Sequence, residues 1–203
     1  MIKQQKKEAS FKPPFFISYL ITDPEEFGDT PNSLKDTLTK ALQLHHIDMI
    51  CFRDKVSVDK EKLAEAFLEV CREFCIEKVL INSDIELCEK LGFDGVHLNS
   101  QQFHSIESLQ SKNIFTIISC HNEKEIQLAK KYRANMITYS PIFFKEKKGE
   151  PKGLDNLSNI ISKYQKSDFP IIALGGIIND KNVQAVQKTG VSGFASIRYF
   201  VIK

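Results

Sequence analysis

The chain has 203 residues, 42% of them hydrophobic and 27% charged, with a formal net charge of +2; this suits one soluble domain with a sizeable core. A charge so near zero argues against nucleic acid or an anionic membrane surface as a general partner, and no apolar run reaches the roughly 18 residues of a membrane helix. The cysteines (Cys51, Cys71, Cys75, Cys88 and Cys120) are odd in number and lack metal-ligand spacing, so reduced thiols and a cytoplasmic location are expected.

In chain order, residues 1–14 are basic and polar without the apolar stretch of a secretory signal, and read as a disordered tail. From residue 15 to 203 a single domain is expected, in which short β-branched or aromatic runs alternate with longer amphipathic stretches. The predicted strands are Phe15–Thr22, Asp48–Arg53, Lys78–Asn82, Gly95–Leu98, Phe115–Cys120, Met136–Ile142, Pro170–Leu174 and Gly193–Ile197. The predicted helices between them are Ser33–Leu44, Lys60–Phe74, Asp84–Leu91, Ile106–Ser111, Glu123–Tyr132, Leu154–Tyr164 and Asp180–Thr189. Several strands are continuous apolar runs, as parallel strands covered by helices require.

Eight strands and seven connecting helices fit a closed (β/α)₈ TIM barrel better than an open doubly wound sheet, and no G-x-G-x-x-G follows the first strand. The apolar residues Tyr199 to Ile202 follow strand eight where an eighth helix would begin. That helix is expected to be missing or truncated, with a dimer contact or the N-terminal segment covering the gap.

In such a barrel the chemistry belongs to the carboxyl ends of the strands. Strand two ends in Cys51-Phe52-Arg53-Asp54-Lys55, and alternation puts Cys51, Arg53 and Lys55 on one side. Arginine forks onto phosphate oxygens and lysine adds a point charge, so these two cations suit an anionic ligand, with a salt-bridged rim as the alternative. Strand three ends in Asn82-Ser83-Asp84, where the Asn82 amide suits a phosphate, Ser83 an N-cap and Asp84 a first helical turn. His97 and His121, near the ends of strands four and five, are candidate acid, base or ligand groups. Ser140-Pro-Ile-Phe143 leads into a charged run, Phe144 to Gly149, long enough to be a flap. Gly175 and Gly176 close a buried strand and let backbone amides approach a ligand; with Gly193 and Ser196 on strand eight they mark the usual phosphate position of such barrels.

Ile-Asn82, Asp94-Gly-Val-His-Leu98, Ser119-x-His121, Ser140-Pro-Ile-Phe143, Lys148, Gly153-Leu154 and Ala173-Leu-Gly-Gly-Ile177 occur in this order. Together they resemble the thiamine-phosphate synthase/TenI family over nearly all of the chain after the tail. The resemblance implies a transferase that joins hydroxymethylpyrimidine diphosphate to a thiazole phosphate, releasing pyrophosphate, with Mg²⁺. Arg53, Lys55, Asn82 and Lys148 fall on positions that grip the diphosphate, Ser119 on one near the pyrimidine and diphosphate, and Gly176 on the thiazole-phosphate loop; Cys51, Ser140, Gly175, Ser196 and Arg198 are further substrate-binding candidates.

The chain also departs from the family pattern. Cys51 stands where a glutamine is expected. Ser83 and Gln102 stand at the two metal-binding aspartates, and Arg198 replaces a small serine. Lys145, Lys147 and Arg198 add cations that either stand in for metal or mark a different phosphorylated ligand. TenI-type relatives also lack the carboxylates, and some tautomerise the thiazole phosphate, but their catalytic histidine position holds Pro141 here. His121 is then the candidate base. A non-catalytic barrel that binds a phosphorylated ligand is the remaining alternative, and a homodimer is an open assembly state.

Overall fold

The computed structural model describes residues 16–144, 149–164 and 169–201. Eight parallel strands close into a barrel in sequence order. They are β1 (Ile17–Ile21), β2 (Met49–Phe52), β3 (Lys78–Asn82), β4 (Gly95–Leu98), β5 (Phe115–Cys120), β6 (Met136–Tyr139), β7 (Ile171–Leu174) and β8 (Gly193–Ser196). Closure comes from β1 lying beside β8, with Ile17 opposite Gly193 and Leu20 opposite Ser196. Gly193 is required there, since a Cβ would stand 2.4 Å from the Ile17 carbonyl oxygen.

The helices are α1 (Pro24–Phe27), α2 (Pro31–Leu44), α3 (Lys60–Glu73), α4 (Ile85–Leu91), α5 (Ser105–Ser111), α6 (Glu123–Lys131), α7 (Gly153–Tyr164) and α8 (Asp180–Gln187). Their starts follow local chemistry. Thr30 and Ser33 form a capping box on α2, with Pro31 in the first turn, and Asn122 and Asn179 cap α6 and α8 through their side chains; each cap satisfies amides that the helix cannot bond itself. The short α1 was not anticipated. It is one turn capped by Asp23, with Phe27 as its buried residue.

Strand alternation divides the core in two. Outward residues such as Ile50, Phe52, Val96, Leu98, Ile118 and Phe194 pack against the helices. Inward residues Ile17, Tyr19, Met49, Cys51, Leu80, Ile117, Met136, Ile172 and Ala195 fill the barrel. After β8 a single 3₁₀ turn, Arg198–Phe200, stands where a helix would follow. Cover for this apolar stretch comes from the chain itself: the Phe200 ring stacks on Phe194 at 5.7 Å and meets His45 edge-on at 5.5 Å. Phe200 is 2% exposed. Residues 1–14, read as a tail, lie outside the described residues.

All five cysteines are unpaired, four of them buried and Cys75 exposed. Among the described residues no helix is long and apolar enough to cross a membrane. Phe200→Ala removes the centre of the closing aromatic cluster and is expected to lower stability by about 3 kcal/mol, read as a lower urea midpoint at unchanged slope.

Candidate active site at the carboxyl ends of the strands

Helix caps and strand ends share one rim of the barrel, so the turn after each strand both starts a helix and presents polar groups to the mouth. At β2 the turn is built by Asp54, which is 7% exposed and accepts from the Val56 and Ser57 amides, each at 2.9 Å. Burial opposes its charge, but bonds from Ser57 and Val56 outweigh that and hold its carboxyl below the ordinary carboxylate range. Lys55 is exposed on this turn.

Arg53 is half-buried, with its backbone amide on the Thr22 hydroxyl at 2.9 Å and its guanidinium paired with Asp23, the cap of α1. The salt-bridged rim is thus present, and α1 exists to provide it. A guanidinium has five donors, so the pairing of Nη1 with Asp23 orients Arg53 without using up its N–H groups. Asp23 was missed because a carboxylate before Pro24 reads only as a helix start.

At β3 the Asn82 amide donates to the His97 carbonyl oxygen at 3.0 Å, which ties it across to β4. The cap of α4 is Asp84, whose side chain accepts from the Leu87 amide, while Ser83 adopts a left-handed φ of 62°. Ser83 is therefore a turn residue rather than the cap expected from its hydroxyl.

The β4–β5–β6 sector is inward and polar. His97 is 2% exposed, with Nδ1 at 2.9 Å from the Tyr19 hydroxyl and Nε2 at 3.1 Å from Ser119 Oγ and 3.3 Å from Thr138 Oγ1. Burial, and secondarily the charge of Arg53, push its pKa down to about 4, so the imidazole is neutral at neutral pH. Ser119 is half-buried at the upper edge of this group. Cys51 lies wholly inside the barrel, its thiol pushed up to about 12 by burial; it is a neutral wall of the same layer. His121 projects from the end of β5, with Nδ1 at 3.1 Å from the Ser140 carbonyl oxygen and 3.2 Å from Ser140 Oγ.

Across the mouth, Ser140 is buried and the following segment packs on the end of β7. The Ile142 amide donates to the Leu174 carbonyl and the Phe143 amide to that of Gly175, each at 3.0 Å. Gly175 and Gly176 have φ of 99° and 72°. A Cβ on the first would stand 2.8 Å from Pro141 Cα, and on the second 2.6 Å from Phe143 Cβ. The glycine pair thus serves close packing between the two loops. Ser196 points outward, its hydroxyl donating to the Ile177 carbonyl at 2.6 Å, so it shapes the β7 loop. Arg198 is exposed and bonds Glu26 of α1 at 2.9 Å through Nε. Lys148, with Lys145 and Lys147, lies outside the described residues.

The donor set does not fit a resident Mg²⁺, which asks for hard anionic oxygens. At the two positions where the resemblance implies carboxylates, the Gln102 amide donates to the Ser83 carbonyl at 2.9 Å and accepts from the Asn99 amide at 3.1 Å. The Asn99 side-chain amide donates to Ser83 Oγ at 3.2 Å. The nearby carboxylate, Asp84, is bound to Lys60 at 2.7 Å and to its own helix. Among the described residues no three of His, Cys, Asp and Glu converge as a metal cage. Neutral amides cross-link the turn that a cation would otherwise bridge.

Fold and rim together define a (β/α)₈ barrel with its polar, cation-bearing end at the strand carboxyl termini, the working end in enzymes of this architecture. The chain belongs to the thiamine monophosphate synthase family, whose profile matches residues 18–200. It is 31% identical over 188 residues to a protein of Aquifex aeolicus named putative thiamine-phosphate synthase 2, covering 90% of this chain and 96% of that one. The thiamine-phosphate synthase of Lactococcus lactis is 26% identical over 192 residues, 89% of this chain and 86% of its own. The solved structure of a thiamine phosphate pyrophosphorylase from Pyrococcus furiosus shares the fold, with a TM-score of 0.75 and 23% identity over 90% of this chain and 85% of that one.

The misfit to Mg²⁺ has a direct check. In calorimetric titration with Mn²⁺, the double variant Ser83→Asp with Gln102→Asp is expected to bind at least tenfold more tightly than the native chain, since it restores two charged oxygen donors.

Proposed function

We propose that this chain acts in thiamine biosynthesis as a transferase, joining hydroxymethylpyrimidine diphosphate to thiazole phosphate and releasing pyrophosphate. The observation that carries the reading is the family match across residues 18–200, which takes in every rim residue described above and all of the strands but Ile17. In the reaction the bond between the pyrimidine methylene carbon and the diphosphate oxygen breaks, the electron pair leaving with pyrophosphate. The thiazole nitrogen then donates its lone pair to that carbon, forming the new C–N bond.

Such chemistry asks mainly for stabilisation of the leaving group and alignment of the two rings. In this reading Arg53, oriented by Asp23, and Lys55 face the departing diphosphate, joined by Lys148 from the charged loop. Ser119 sits between the diphosphate and the pyrimidine. The Gly175–Gly176 turn takes the thiazole phosphate on its backbone. No step runs through a resident Mg²⁺, because the amides around Ser83 and Gln102 do not suit one. The unpaired cysteines support a reducing cytoplasm as the place of work.

The test supplies both substrates and measures thiamine phosphate and pyrophosphate with Mg²⁺, with Mn²⁺ and with chelator. Product is expected from the native chain, with a loss of about a hundredfold or more in kcat/KM for Arg53→Ala. No product under any of these conditions rejects the reading.

A second reading, isomerisation of the thiazole phosphate, is favoured by one contact. His121 Nδ1 faces the Ser140 carbonyl oxygen, an arrangement that places the proton on Nδ1 and leaves Nε2 as a base. It expects tautomer conversion that survives chelator and falls in His121→Ala; an unchanged rate in that variant removes it.

A further inference from the structure

The barrel interior just below the mouth holds a polar chain of which the transfer chemistry uses only the upper end, Ser119. Tyr19 of β1, His97 of β4, Ser119 of β5 and Thr138 of β6 all point inward, at positions that small barrels ordinarily fill with Val, Ile and Leu. Tyr19 and Thr138 are fully buried and His97 nearly so. Buried polar groups are retained only when their hydrogen bonds are made, and in such a place the direction of each bond is fixed by its neighbours.

The direction can be followed atom by atom. The phenol of Tyr19 stays protonated, its pKa raised by burial and by the neighbouring Cys51. Its hydroxyl faces the Cys51 thiol and His97 Nδ1, and of these the imidazole nitrogen is much the better acceptor. The thiol proton has its own acceptor, the Phe52 carbonyl oxygen at 3.6 Å from Sγ. Tyr19 therefore donates to Nδ1 at 2.9 Å. A neutral imidazole that accepts at Nδ1 carries its proton at Nε2, and Nε2 lies 3.1 Å from Ser119 Oγ. The Thr138 hydroxyl donates to the same oxygen at 3.4 Å. Both lone pairs of Ser119 Oγ are then engaged from below, and its own proton is left for a group above it.

We propose that His97, held in one tautomer by Tyr19, is a positioning residue that commits the Ser119 hydroxyl to act as a hydrogen-bond donor toward an acceptor oxygen of the bound diphosphate. Neither His97 nor Tyr19 touches the ligand; they act through Ser119. The ligand named here rests on the synthase reading above, whereas the proton arrangement rests on the interior chain alone. The consequence is selectivity for lone-pair-bearing, anionic groups at this point of the mouth, since Ser119 has no acceptor capacity left to offer a donor.

Two measurements test it. Long-range ¹H–¹⁵N correlation spectra of the full chain labelled at histidine, with His97 assigned by its loss in His97→Asn, are expected to show the Nε2–H tautomer in the native chain. In Tyr19→Phe a mixture of tautomers is expected. An Nδ1–H tautomer in the native chain overturns the proposal outright. The second measurement is a double-mutant cycle on the binding of inorganic pyrophosphate. Ser119→Ala is expected to weaken binding by roughly tenfold or more, the scale of one hydrogen bond to a charged group. Tyr19→Phe is expected to weaken it several-fold when Ser119 is present and not at all in the Ser119→Ala background. Equal losses in both backgrounds assign Tyr19 and His97 a merely structural role and overturn the proposal. If the native chain binds no pyrophosphate, the synthase reading fails and the tautomer spectrum alone decides the proton arrangement.

Discussion

Closing eight strands of four to six residues into a ring leaves an interior just wide enough for side chains to fill. Every inward residue must find its partner within that layer, because there is little room for water to serve one. The lower barrel meets this constraint with Ile17, Met49, Ile117, Met136 and Ile172, and with Gly95 and Gly193 where neighbours crowd in. The upper barrel meets it with hydrogen bonds between Tyr19, His97, Ser119 and Thr138. The site is the point at which this satisfied interior opens to solvent, so its groups arrive with their orientation already set.

The same logic shapes the rim. Arg53 is anchored by Asp23, and Asp23 is fixed by starting a one-turn helix. Arg198 reaches the same helix through Glu26. Two cations far apart in the sequence are thus steadied by one short helix and its cap. At β3 and β4 the anchoring is done by amides, with Asn82, Asn99 and Gln102 bonding strand ends and turns to one another. A turn stitched by neutral donors is stable without a cation, which is the physical sense in which this chain departs from the metal-binding pattern its sequence resembles.

Much of this was legible in the residues. Apolar runs separated by amphipathic stretches located all eight strands, five of them extended by one to three residues at their ends, because a run such as Met136 to Ile142 stays largely apolar after Tyr139 while the chain has already turned. The order of small motifs pointed to the family. What periodicity could not show was pairing across the barrel. Nothing near Arg53 in the sequence marks Asp23 as its partner, thirty residues earlier, and Ser83 has the composition of a cap but the left-handed backbone of a turn. Tyr19 carried one faint signal, a polar tip at an inward position of an otherwise apolar strand. His97 was visible as a candidate acid or base, and burial made it a neutral supporting group instead.

The contact between Gly175–Gly176 and the Pro141–Phe144 segment carries a consequence for how such a barrel changes over time. With Pro141 Cα and Phe143 Cβ within 3 Å of any added Cβ, neither loop can alter its backbone path alone. The two behave as one unit of inheritance, free to diverge together and penalised when they diverge apart. Transplanting the β6 loop of another barrel into this one, to change what it binds, means carrying the β7 turn along with it.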